Sequence, residues 1–168
     1  MFKILVPVNG SACSLVAVDE AIRTARSQGD ATIQLVNVQP LLSRHIARFV
    51  RRAQTDRLRA ERAREALEVA ERKVKAAGIP YSAQWLRGPI VRSVADYASR
   101  QTVDQIVIAT SPARGLARWF EQPIADQLLK TSAVPVDVVS VGPESMLERF
   151  GVPAGLGLGL TMVWLASE

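Results

Sequence analysis

Short apolar runs alternate with longer amphipathic stretches from the start of the chain. The first run, KILVPV at residues 3–8, stops at a polar turn at residues 9–11, which predicts a buried strand, a tight turn and a helix N-cap. Apolar residues spaced by three and four positions then predict a helix that ends at Gly29. Residues 31–38, closed by Pro40, predict a second strand.

The alternation continues through the second half of the chain. A long helical stretch with a narrow face of small residues ends at Gly78. That face comprises Ala60, Ala63, Leu67, Ala70, Val74 and Ala77. The later predicted elements are a strand at 80–86, a helix opening at Gly88-Pro89, a strand from Asp104, a short helix beginning at Pro123 and a strand at 134–141.

Strands that alternate with helices predict an α/β fold. We expect an open, doubly wound sheet of five parallel strands with helices on both faces. In such a sheet the ligand crevice lies beyond the carboxyl ends of the strands, where the strand order reverses. Those ends are predicted at residues 9–11, 38–40 and 110–118.

The chain of 168 residues is long enough for one domain, which we expect at residues 1–142, followed by an apolar, glycine-rich tail at 143–168. With one Cys and one His it cannot form an internal disulfide or a Cys/His zinc site. We expect Cys13 to be a small buried residue and His45 to lie on the surface. The first apolar run is too short for a secretory signal, so a cytoplasmic location is expected.

The net charge of +5 is concentrated in one segment. Residues 44–75 contain eleven Lys or Arg and five Asp or Glu, and the rest of the chain has a net charge of −1. This segment is interpreted as a solvated helix face with internal ion pairs, and an anionic partner is the alternative. Only Phe49 is interleaved with the bases, so nucleic-acid binding is not expected.

Several segments match a known family in order and spacing. ILVPVNGS, LVNVQP, RGPIVRSVADYA and DQIVIATSPARGLARWFEQPIADQLLKTSAVPVDVVSV resemble the universal stress protein family over residues 3–141. The resemblance implies a Rossmann-like fold of the adenine nucleotide alpha hydrolase type and a homodimer paired through the fifth strand. It also implies ATP binding in those members that keep a glycine-rich loop after the fourth strand.

This chain departs from the loop of the ATP-binding members. Ala109, Pro112, Gln122 and Pro123 replace its three glycines and its hydroxyl residue, and the two prolines have no N–H to offer a phosphate. Tight ATP binding, and hence a bound cofactor, is therefore not expected.

A weak adenine-nucleotide or anion site remains the alternative. Asn9 stands where the family has an aspartate that faces ribose and adenine. The candidate binding residues are Asn9, Thr110, Ser111, Arg114 and Gly115.

Motifs for catalysis are absent from the sequence. It has no serine nucleophile elbow, no Walker A loop and no paired-histidine zinc helix, so we expect no enzyme activity and no metal site. The tail raises a different question, because 18 uncharged residues lie between Arg149 and Glu168. We expect an extended arm that packs on another chain or on the domain, with membrane contact or a disordered end as alternatives.

The sequence therefore predicts a cytoplasmic, non-catalytic binding or regulatory module of the stress response. We expect it to form a homodimer through Val134 to Val141, on a sheet edge that pairing would cover, and to bind a protein partner. One alternative is an adenine-nucleotide switch built on the same fold. Another is an accessory domain that docks on a membrane or a transporter through the basic helix and the tail.

Overall fold

Five parallel strands form one sheet in the order β3-β2-β1-β4-β5. The computed structural model describes residues 1–40, 52–110 and 118–141. The strands are β1 (Phe2–Pro7), β2 (Ala31–Gln39), β3 (Tyr81–Arg87), β4 (Gln105–Thr110) and β5 (Val136–Ser140). The helices are α1 (Ala12–Gln28), α2 (Arg52–Ala76), α3 (Ile90–Arg100) and α4 (Arg118–Thr131). The predicted fold class, an open doubly wound parallel sheet, is confirmed.

The two faces of the sheet bury separate apolar clusters. On one face α1 and α2 pack against alternate residues of β1 and β2, such as Ile4, Val6 and Ile33. On the other face α3 and α4 cover Leu5 and the residues beside it. The central strands β1, β2 and β4 are therefore buried on both sides, which explains why they form short continuous apolar runs rather than strict alternations.

The small-residue face predicted for the long helix is the buried face of α2. Ala63, Leu67, Ala70 and Val74 are buried there. Small side chains on this face let the helix lie close to the sheet. An ion pair between Lys73 Nζ and Asp19 Oδ1, 2.7 Å apart, fixes α2 beside α1.

Most strand bounds differ from the prediction by one or two residues, and the start of the last helix differs most. The last helix begins at Arg118, so the prediction that Pro123 is its first residue is wrong. A helix can also contain a proline at an interior position, at the cost of one backbone hydrogen bond. The presence of a proline in the sequence therefore does not by itself mark the first residue of a helix. The fourth strand begins at Gln105, and the carboxylate of Asp104 just before it accepts a hydrogen bond from the Lys3 N–H at 2.8 Å.

None of the helices within the described ranges is both long and apolar enough to span a bilayer. The predicted tail at 143–168 lies outside the described residues, as does His45. Cys13 is buried in the first turn of α1, as expected.

Candidate functional site

A cleft opens where the carboxyl ends of β1 and β4 separate. The two strands pair only at Ile4–Gln105 and Leu5–Ile106, although β4 continues to Thr110. Pro7 explains the separation, because odd-numbered residues of β1 point their backbone groups towards β4 and proline has no N–H to donate. This is also the point where the strand order reverses, the usual ligand site of such sheets.

The described lining of the cleft is predominantly apolar and carries no charged side chain. The volume of the cavity is about 110 Å³. The lining residues are Pro7, Val8, Asn9, Ser11, Ser14, Val36, Val38, Ile90, Ile108, Ala109, Ile124 and Ala125. An apolar cavity with a few polar groups is the usual composition of a small-molecule site.

The turn between β1 and α1 forms the polar rim of the cleft. Asn9 Oδ1 accepts a hydrogen bond from the Ser11 N–H at 3.0 Å, which closes the turn. Ser11 then caps α1, with its hydroxyl oxygen accepting from the Ser14 N–H at 3.1 Å. Gly10 adopts a φ of +83°, a left-handed conformation that favours glycine. Because the oxygen of Asn9 is used by the turn, its amide N–H groups are the part left to meet a ligand.

A buried amide holds the end of β1 against β2. Asn37 is 2% exposed, and its Nδ2 donates to the Val8 carbonyl oxygen at 2.7 Å. Its Oδ1 accepts from Gln39 Nε2, also at 2.7 Å. The Val8 carbonyl oxygen, to which the Val38 N–H would bond if the β1–β2 ladder continued, thus accepts from the Asn37 side chain.

Val38 is the residue of β2 whose backbone groups lose their place in the ladder with β1. Even-numbered residues of β2 face β1, since the Val36 carbonyl accepts from the Val8 N–H at 2.8 Å. The Val38 N–H would pair next with the Val8 carbonyl, but that oxygen accepts from Asn37 instead. Within the described ranges, the Val38 N–H and C=O make no ladder bond on the β1 side. These two backbone groups of Val38, one donor and one acceptor, border the cleft and are called the Val38 peptide edge below.

The structure describes two of the five predicted binding residues. Asn9 lines the cleft, and Thr110 lies at the end of β4, half-buried. Ser111, Arg114 and Gly115 lie outside the described residues. Sequence reasoning missed Asn37 and Val38, although a single amide inside the apolar strand LVNV was a signal for the first.

The geometry defines a doubly wound α/β protein with a small apolar crevice at its switch point. The chain belongs to the universal stress protein family, whose sequence profile matches residues 1–140. Universal stress protein MJ0531 of Methanocaldococcus jannaschii is 28% identical over 140 residues, which cover 82% of this chain and 81% of the relative.

Two solved structures have the same fold. A universal stress protein in complex with cAMP is 22% identical, with a TM-score of 0.63 and coverage of 82% of this chain and 96% of the other. A universal stress protein family member from Arabidopsis thaliana with AMP bound is 17% identical, with a TM-score of 0.63 and coverage of 86% and 94%.

Proposed function

We propose that this protein is a non-catalytic, homodimeric binding module of the stress response that acts in the cytoplasm and does not hold ATP tightly. Its cleft takes the flat ring of a small ligand, and its surface engages a protein partner. The observation that carries the proposal is the Val38 peptide edge beside an apolar cleft, because it gives a ring both shape and hydrogen-bond recognition.

A triphosphate should bind weakly because the glycine-rich sequence that usually holds its phosphates is changed in this chain. Helix N-termini and glycine-rich loops hold phosphates with backbone N–H groups. Pro112 removes one such donor between β4 and α4, and Glu121 adds a negative charge near the start of α4. We therefore expect the site to bind the phosphates of a ligand less well than it binds a ring.

The homodimer is supported by the free edge of β5. Odd-numbered residues around β5 face β4, since the Val141 N–H donates to the Thr110 carbonyl oxygen at 2.9 Å. Val136, Val138 and Ser140 consequently turn their backbone groups away from the sheet. Val138 is 37% exposed, and an apolar strand edge of this kind is usually covered by another strand.

An adenine-nucleotide switch is the second candidate function. Adenine offers an amino donor beside ring nitrogens that accept, which complements the backbone N–H and C=O of a single strand residue such as Val38. Two relatives of the same fold are described with cAMP or AMP bound, both with a single phosphate. A monophosphate places less charge than ATP in the region of Glu121.

The test fills the cleft and measures ligand binding. Ala109→Leu puts a larger side chain into the lining, whereas Ala83→Leu enlarges a half-buried strand residue outside it and serves as the matched control. We expect calorimetry to detect AMP binding to the wild type and to Ala83→Leu, and at least a tenfold loss of affinity, about 1.4 kcal/mol, in Ala109→Leu. Equal affinities for the two variants would place the ligand elsewhere.

A further inference from the structure

The strand β3 is one edge of the sheet and has a row of backbone groups that point outwards. The Pro80 carbonyl oxygen and the Gly88 N–H bond to β2, so the even-numbered residues of β3 face β2. The odd-numbered residues Tyr81, Ala83 and Trp85 turn their N–H and C=O groups the other way, and no described residue bonds to them. These groups can form the hydrogen bonds of one further strand.

The sequence of β3 contains none of the features that usually prevent such pairing. Proteins protect a sheet edge with a proline, a bulge or a charged residue in the middle of the edge strand. The register of β3 with β2 runs without interruption from Tyr81 to Arg87. The strand YSAQWLR has no proline, and its one charge is at the last of its seven residues. The edge is therefore long enough, and open enough, to pair with a strand of ordinary length.

An aromatic side chain is exposed on this edge. Trp85 is 37% exposed, and the guanidinium carbon of Arg87 lies 5.9 Å from the centre of its ring, a cation–π contact. Alternate residues of a strand share a face, so Trp85 is on the same face as Ala83, which packs in the cluster under α2. The ring therefore borders the place of a further strand on the α2 side of the sheet.

The flank of α2 above this edge carries a positive charge. Lys73 pairs with Asp19 and so marks the flank of α2 that faces α1. Arg64 precedes Lys73 by two and a half helical turns and therefore lies on the opposite flank, over β3. Arg64 is exposed and forms no ion pair with a described residue. The nearest acid on that flank, Glu68, already pairs with Arg72.

Arg64 and Trp85 also lie at similar distances from the amino edge of the sheet, where α2 ends and β3 begins. At 1.5 Å per helical residue Arg64 is about 18 Å from the end of α2. At 3.3 Å per strand residue Trp85 is about 13 Å, and Arg87 about 20 Å, from the start of β3. The aromatic ring and the positive charge thus flank the same part of the edge.

We propose that β3 takes up an extended segment of a protein partner as a sixth strand of the sheet. The backbone of the segment bonds to the outward groups of β3, an apolar side chain packs against Trp85, and a carboxylate pairs with Arg64. Since these two side chains share a face, they are two positions apart in the segment. Ser82 and Gln84 are exposed on the other face, where the segment is therefore polar.

An extended polypeptide is the occupant that uses all of these features. A nucleic acid or a lipid would pair with Arg64 but would leave the row of backbone donors and acceptors without partners. The inference rests on the proposed function, in which the protein engages a protein partner, and it adds the surface and the chemistry of that partner.

A fluorescent synthetic peptide tests the strand addition. The probe alternates threonine with phenylalanine and glutamate, and fluorescence anisotropy measures its binding to the full-length protein. Two further peptides carry N-methyl groups, one on its threonine nitrogens and the other on the remaining nitrogens. Only one of these sets faces β3 in an added strand, so we expect one methylated peptide to bind at least about tenfold more weakly than the other.

A pair of arginine variants tests the charge. Arg64→Gln should weaken binding of the probe several-fold, because the glutamate loses its partner. The matched control is Arg62→Gln, which removes an equal charge from an exposed residue on the flank of α2 that faces α1. Arg62→Gln should bind the probe as the wild type does.

Hydrogen exchange determines where the probe binds. The outward N–H groups of Ala83 and Trp85 should exchange about tenfold more slowly at saturating probe. Ala83→Pro removes one of these donors without breaking a bond to β2, and it should weaken binding while far-UV circular dichroism remains unchanged.

Three results would overturn the strand addition. These are equal binding of the two methylated peptides, equal losses in the two arginine variants, and unchanged exchange at Ala83 and Trp85. Slower exchange that depends on protein concentration in the absence of probe would also overturn it and assign the edge to a second copy of the chain. Titration of the same samples with AMP reports on the cleft alone, so a failure at β3 is distinguishable from a failure of the proposed function.

Discussion

Two asparagines near the carboxyl end of β1 have different structural roles. Asn9 is exposed and closes the turn into α1 through its side-chain oxygen. Asn37 is buried and uses both ends of its amide, donating to Val8 and accepting from Gln39. The Val8 carbonyl oxygen thus bonds to the Asn37 side chain, and in the described part of the chain the Val38 peptide edge beside the cleft has no ladder partner on the β1 side.

Replacing Asn37 should therefore lower the free energy of unfolding by more than the loss of a side chain of its size would explain. We expect Asn37→Ala to lower the free energy of unfolding by about 1–3 kcal/mol, because the buried Val8 carbonyl loses its donor. Gln39→Ala is the control, since it removes only the half-buried bond to Asn37 Oδ1. Urea denaturation measures both, and a larger loss for Gln39→Ala would contradict the role given to Asn37.

Thr102 is the one described non-glycine residue with a positive φ, at 50°. Beside it, Lys3 Nζ donates to the Gln101 carbonyl oxygen at 2.9 Å and to Thr102 Oγ1 at 3.1 Å. These bonds tie the end of α3 to β1 at the edge opposite the cleft. The strained residue therefore belongs to the framework and not to the candidate site.

Among the elements, α3 shows how burial changes the chemistry of one side chain. Tyr97 belongs to the buried face of α3, where it is 4% exposed and lies in the cluster with Leu5 and Ile106. Burial raises the pKa of its phenol above the usual value of 10.0, because the phenolate is poorly solvated there. The folded state therefore favours the protonated phenol more strongly than the unfolded state does.

This difference gives stability a defined pH dependence. Below pH 10 both states keep the proton and the stabilisation is complete; as the pH rises through the raised pKa, the unfolded chain loses the proton first and stability falls. We expect Tyr97→Phe to remove this part of the alkaline decline. Chemical denaturation at a series of pH values measures it, and an unchanged slope in the variant would mean that Tyr97 does not contribute.

The order and type of the elements were predictable because their signals are local. The small-residue face from Ala63 to Val74 and the N-cap at Ser11 each depend on residues a few positions apart. The start of α4 and the role of Val38 were not predictable, because neither depends on neighbours in sequence. Val38 borders the cleft only through the register of β2 against β1 and the competing bond of Asn37.

At the scale of the whole molecule, the free edge of β5 allows a selective test of the dimer. The Val138 N–H points away from β4, so Val138→Pro removes an edge donor without breaking a bond to β4. We expect the wild type to have a dimeric mass in light scattering and the proline variant a monomeric one. Val138→Ala keeps the N–H and should remain dimeric.

A dimeric Val138→Pro variant would mean that another surface joins the two copies. A monomeric wild type would remove the dimer from the proposed function altogether. Far-UV circular dichroism of each variant provides the control for folding, since an unfolded proline variant would also change in mass.

The central claim is that the cleft retains recognition of a ring but not of a triphosphate. Its most direct test is a calorimetric titration of the purified wild-type protein with AMP and with ATP in the presence of Mg²⁺. We predict that ATP binds no more tightly than AMP, because Pro112 has no N–H to offer the added phosphates and Glu121 carries a charge that repels them. ATP that copurifies with the protein, or that binds at least tenfold more tightly than AMP, would contradict the account.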